Sequence, residues 1–138
     1  MNVRLAIIGD VHLHFNELDV SYFNSSEYDL ILFVGDLVNY APWRGKSVWP
    51  LIQKLEKTTL FMPGNHDATN VFQLIAEVLG NQKLAVLSGL GQRRNYQALL
   101  QSLSNTTFCG YSHQAFDING LRFDIIAGRP FSMGGPNL

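Results

Sequence analysis

Leu30-Ile31-Leu32-Phe33-Val34-Gly35-Asp36 is an apolar run that stops at a glycine and then presents a carboxylate. A run this short, rich in branched and aromatic side chains, reads as a strand covered on both faces. The same grammar occurs twice more. Val3-Arg4-Leu5-Ala6-Ile7-Ile8 leads into Gly9-Asp10-Val11-His12, and Thr59-Leu60-Phe61-Met62 leads into Pro63-Gly64-Asn65-His66-Asp67. In open α/β sheets, ligands collect outside the carboxyl ends of the strands. The acidic, imidazole and amide groups of these segments are therefore expected to converge there. Carboxylate, imidazole and amide oxygen together suit hard or borderline divalent ions such as Mn²⁺, Fe²⁺, Zn²⁺ or Mg²⁺. With Cys109 as the lone cysteine, a thiolate zinc site is excluded.

Helices are expected between the strands. Residues 16–28 form a polar stretch, and residues 47–57 carry Val48, Leu51, Ile52 and Leu55 at helical spacing. Thr69-Asn70 can cap a helix whose apolar face is Val71, Leu74, Ile75, Val78 and Leu79, ending at Gly80-Asn81. The result is β-α-β-α-β-α, the order of a parallel sheet with right-handed crossovers. Beyond Gly80 the pattern changes. Residues 84–91 read as a loop excursion near the site, residues 92–103 as a helix and residues 106–111 as a strand. Ala115-Phe116-Asp117-Ile118 and Leu121-Arg122-Phe123-Asp124-Ile125-Ile126, joined by Asn119-Gly120, predict a tight hairpin. No internal repeat or low-complexity linker interrupts the chain.

The 138 residues, 46% hydrophobic and 15% charged, supply apolar material for one core and not two. A net charge of -1 gives no electrostatic footprint for nucleic acid, which is not favoured as a partner. Arg93-Arg94, the basic doublet, reads as a solvated helix face. No apolar run reaches membrane-spanning length, and no secretory signal is visible at the amino terminus. With a single cysteine, the expected compartment is the cytoplasm.

Asp10-Val11-His12, Gly35-Asp36 and Gly64-Asn65-His66-Asp67 resemble the D-x-H, G-D and G-N-H-[DE] motifs of the calcineurin-like metallophosphoesterases, in order and with helix-length gaps. The resemblance covers about residues 1 to 127 and implies an α/β fold, a β-sandwich flanked by helices. It implies metal-dependent phosphoester hydrolysis, of a phosphomonoester or phosphodiester, by water activated at a dinuclear centre. In that arrangement Asp10 and His12 bind the first metal, Asp36 bridges both, Asn65 binds the second, and His66 is the catalytic residue beside the substrate. A complete site would hold two divalent ions (Mn, Fe, Zn or Mg). The family's later motifs, G-H and G-H-x-H, do not occur, so neither metal has its full ligand set. The chain is therefore expected to be a fragment or a naturally short relative, with the fragment favoured. One domain over 1–138, incomplete at its C-terminus, is expected, with 128–138 expected to be a flexible tail. An uncovered sheet edge or face would then invite self-association.

Other residues carry plainer readings. Asp10 and Asp36 could be helix caps and Gly64-Asn65 an ordinary turn. Those readings leave the companions His12 and His66 unexplained. His14 and His113 read as surface groups, Arg129 as part of the tail, and Asp67 as a brace for its loop through backbone hydrogen bonds. Where relatives carry G-D-x-x-D, this chain has Asn39, which supplies no charge to raise the basicity of His66. The substrate implied is a phosphorylated small molecule or a phosphoprotein. The alternative is a non-catalytic scaffold on the same fold, acting as a protein-interaction subunit.

Overall fold

A computed structural model of the chain describes residues 2–38, 47–68, 71–84, 86–88, 97, 101 and 106–128. Four strands, β1 (Leu5–Ile8), β2 (Leu30–Phe33), β3 (Thr58–Phe61) and β4 (Thr107–Phe108), form a parallel sheet in sequence order. Helices α1 (Glu17–Ser25) and α2 (Trp49–Ile52) connect the first three, and α3 (Asn65–Ala68) and α4 (Val71–Val78) follow β3. A hairpin of β5 (Ser112–Ile118) and β6 (Leu121–Ala127) makes a second, antiparallel sheet.

Alternation along the central strands explains the layers. Ile31, Phe33 and Phe61 point to one face, where they pack with Val20 of α1 and with Val48, Trp49 and Ile52 at α2. Leu30 and Leu60 point to the other, against Phe116, Ile118, Phe123, Ile125 and Ala127 of the hairpin. β2 and β3 are thus covered on both faces, as their composition predicts. The edge strand β1 is not: Leu5 and Ile7 remain 42% and 68% exposed, because the hairpin packs over the middle of the sheet. The expected double coverage fails for this strand.

Local chemistry sets the element ends. The Asn16 side chain accepts from the Leu18 N–H at 2.8 Å, while the Asn16 N–H donates to Asp19 Oδ2 at 2.8 Å, so α1 starts one residue after its cap. Asn16→Ala is expected to lower stability by about 1 kcal/mol, read as a lower urea midpoint at constant m. The helix expected over 47–57 is shorter. α2 has Pro50 in its first turn, and the Lys54 and Leu55 amides donate to Leu51 and Ile52, the tight i→i−3 pattern that ends a helix. Asn24 then ties α1 to that exit: its side chain donates to the Lys54 carbonyl and accepts from the Glu56 N–H.

Asn119 and Gly120 adopt left-handed φ of 54° and 72°, as a two-residue hairpin turn requires. The strand expected over 106–111 is cut to Thr107–Phe108, because the chain turns at Gly110 and Tyr111, the latter with φ of 47°. The excursion expected over 84–91 contains helical residues at 84 and 86–88. On α4, Ala76 is buried while Val71, Ile75, Val78 and the following Leu79 of the expected apolar face are exposed; the side chain of Leu74, the remaining member of that face, lies outside the description. The Thr69-Asn70 cap, Asn39, Arg93-Arg94, the helix expected over 92–103 apart from 97 and 101, and the tail from Arg129 onward lie outside the described residues. Among the described residues, no helix is long and apolar enough to cross a membrane.

Candidate metal centre

The loops after β1, β2 and β3 lie side by side because their strands are adjacent and parallel. Pairing continues past the strands. The Asp10 N–H donates to the Gly35 carbonyl, His12 to Asp36 and Leu13 to Leu37, at 3.2, 2.9 and 2.8 Å. These bonds hold an unusual backbone: Asp10, His12, Leu13 and Asp36 all sit at left-handed φ, between 47° and 72°. Each such residue other than glycine costs on the order of 1–3 kcal/mol, and clusters of them mark functional loops. Asp and His tolerate that region better than most residues.

The consequence is convergence. One ligand atom from each of Asp10, His12 and Asp36 lies within 4.8 Å of the others. His12 Nε2 is 3.6 Å from Asp10 Oδ1, and its Nδ1 is buried with no hydrogen-bond partner among the described residues. A buried imidazole nitrogen without a partner costs free energy unless something accepts its lone pair or proton. Two carboxylates and an imidazole whose Nε2 faces one of them fit a divalent cation.

The third loop closes on the second. The His66 N–H donates to Asp36 Oδ1 at 2.9 Å, so that carboxylate caps the start of α3. The rings of His66 and His12 meet edge to face with centroids 4.9 Å apart. Burial holds the His66 imidazole below the ordinary histidine value, opposed by the charge of Asp36, reinforced by His12 and opposed again by Asp10. Glycines make the close approach possible. A Cβ on Gly64 would stand 2.2 Å from Asp36 Oδ1, and one on Gly35, whose φ is 105°, would stand 2.9 Å from Gly64 Cα.

A family model for calcineurin-like phosphoesterases matches residues 3–130. The chain belongs to the calcineurin-like phosphoesterase family. No curated protein and no solved structure matches it. The family accounts for a parallel sheet backed by a second sheet, with helices flanking.

Within this member of the family the residues singled out from the sequence fall into three groups. Asp10, His12 and Asp36 are brought together. His66 lies against His12 and Asp36, and Asn65 opens α3 directly after Gly64. His113 stands apart from them in contact: on the exposed face of the hairpin its Nε2 is 3.1 Å from Asp124 Oδ1. His14 is exposed. Asp67 braces its loop, as expected, and does more. Fully buried, it accepts from the amides of Asp36 and Gly64 on Oδ2, at 2.9 and 2.8 Å, and from Val38 on Oδ1 at 3.0 Å. Burial pushes its carboxyl up to about 7, while the Gly64, Val38 and Asp36 N–H groups pull against that rise. The reach of Asp67 into the neighbouring loop was not legible in the sequence, because it depends on which strands are adjacent.

Proposed function

We propose that the chain is a metal-dependent phosphoesterase acting on phosphorylated small molecules or phosphoproteins. The observation that carries this reading is the meeting of Asp10, His12 and Asp36 ligand atoms within 4.8 Å of one another. Asp10, His12 and Asp36 would hold a divalent cation, which would supply Lewis acidity to phosphoryl oxygens and lower the pKa of a water.

The chain's own groups divide the remaining work. Asp10 and His12 would hold one cation. Asp36, with two oxygens and a full charge, would be the residue suited to serve a second cation, for which the family resemblance implies Asn65 as a neutral oxygen ligand. The His66 N–H anchors Asp36 Oδ1, so the same short helix that presents the His66 ring also steadies the bridging carboxylate. The His66 ring then hydrogen-bonds the phosphate or delivers a proton to the departing alkoxide. A formal charge of -1 supports a small or protein-borne phosphoester over a nucleic acid. The lone Cys109, buried and free, is consistent with a cytoplasmic enzyme.

Hydrolysis of p-nitrophenyl phosphate and of its bis ester tests this reading. Turnover with Mn²⁺ is expected, lost on adding EDTA and restored by excess Mn²⁺, and the preferred ester separates monoesterase from diesterase. No turnover of either ester with any of Mn²⁺, Zn²⁺, Mg²⁺ or Fe²⁺ would overturn it in favour of a non-catalytic scaffold.

A further inference from the structure

We infer that Asp67 is a positioning residue for the metal centre: its buried carboxylate, bonded to the amides of Asp36, Val38 and Gly64, sets where the Asp36 carboxylate stands relative to Asp10 and His12. This rests on the reading of that cluster as the metal site.

Among the described residues, the sheet ladder fixes the second and third loops as far as the Met62 N–H, which donates to the Phe33 carbonyl at 2.9 Å. Beyond that point the side chains of Asp67 and Asp36 hold the two loops together, and they do so reciprocally. The Asp36 amide donates to the Asp67 carboxylate, while the His66 amide donates to the Asp36 carboxylate. Asp36 is therefore held at its backbone by Asp67 and at its side chain by the residue immediately before it, His66.

This matters because Asp36 has φ of 53°, from which a released residue relaxes toward negative φ and swings its side chain away. The same clamp reaches Val38 on one side and Gly64 on the other, the glycine whose missing side chain leaves room for Asp36. Three N–H donors need two accepting oxygens. An asparagine at 67 can receive Asp36 and Gly64 on its single oxygen, but then turns its NH₂ toward the buried Val38 N–H, donor against donor. The clamp calls for a carboxylate.

The test is Mn²⁺ titration and p-nitrophenyl phosphate kinetics on the full 138-residue chain, on Asp67→Asn, and on Ile52→Val as a core variant that loses stability alone. Asp67→Asn is expected to bind Mn²⁺ about tenfold more weakly or worse, and to lose kcat at saturating Mn²⁺ with KM within about twofold. Ile52→Val should keep wild-type affinity and KM. A folded Asp67→Asn with Mn²⁺ affinity within about twofold of wild type overturns the positioning role. Should Asp67→Asn fail to fold, amide exchange on the wild type decides. The Asp36, Val38 and Gly64 amides should exchange at least about a hundredfold more slowly than in an unstructured peptide, and exchange at the unstructured rate overturns the clamp. Wild type that binds no Mn²⁺ overturns the metal-site reading and this inference with it. Wild-type binding that Asp67→Asn leaves unchanged overturns this inference alone.

Discussion

Asp36→Ala will abolish metal-dependent turnover, with a loss on the order of a thousandfold or more in kcat/KM. The expectation follows from how much this one residue does. Its carboxylate is one of the converged ligand groups, and it anchors the His66 amide, so its loss removes charge from the cluster and frees the loop that carries His66. Changing a group that merely orients a ligand typically costs 10–100-fold in metal affinity or activity, and loss of the ligand itself costs more. Alanine also tolerates the left-handed backbone at this position less well than aspartate. Asp36→Asn separates the effects. It keeps an oxygen for the His66 N–H and a side chain at ease at φ of 53°, so it should fold as wild type does while still losing most of its turnover. Circular dichroism alongside the kinetics checks both parts; Asp36→Asn with wild-type turnover would remove Asp36 from the site.

Gly64→Ala is the second large effect. The added methyl would sit 2.2 Å from Asp36 Oδ1 and 2.7 Å from the Asp36 amide nitrogen. Real carbon–oxygen contacts do not approach that closely, and neither neighbour is the free end of a flexible chain. The carboxylate is tied to the His66 amide and the Asp36 amide to Asp67. Overpacking of this kind costs about 3 kcal/mol, toward the upper end of the usual range. The loops must separate to accept the methyl, so metal binding is expected to fall together with stability. A urea midpoint within error of wild type would show that the two loops do not approach as closely as described.

The sequence made the strand-end loops legible for a physical reason. A strand covered on both faces is an uninterrupted apolar run, so the first polar residues after it mark the sheet's carboxyl edge. Ile31 and Phe33 facing the helices, with Leu30 facing the hairpin, are that run seen in three dimensions. Asn119-Gly120 was legible because so few residues accept consecutive left-handed conformations. What depends on neighbours was not legible. Leu5 and Ile7 have the composition of a covered strand, yet β1 lies at the edge of the sheet and its outer face stays exposed. The spacing of Val71, Ile75 and Val78 fits a helix face, but spacing alone does not say which side of α4 meets the protein. Strain at Asp10, His12 and Leu13 is likewise set by the pairing of their loop with residues 35–37.

Electrostatics follows the same division. The residue types at 10, 12 and 36 announced cation chemistry, whereas the open Nδ1 of His12 and the full burial of Asp67 emerged only from packing.

The most direct measurement is calorimetric titration of Mn²⁺ into the 138-residue chain, with Asp36→Asn as the paired variant. Saturable binding to the wild type that falls at least about tenfold in the variant is the predicted result. No binding to the folded wild type, or equal binding by both proteins, would contradict the assignment of this cluster as a metal centre.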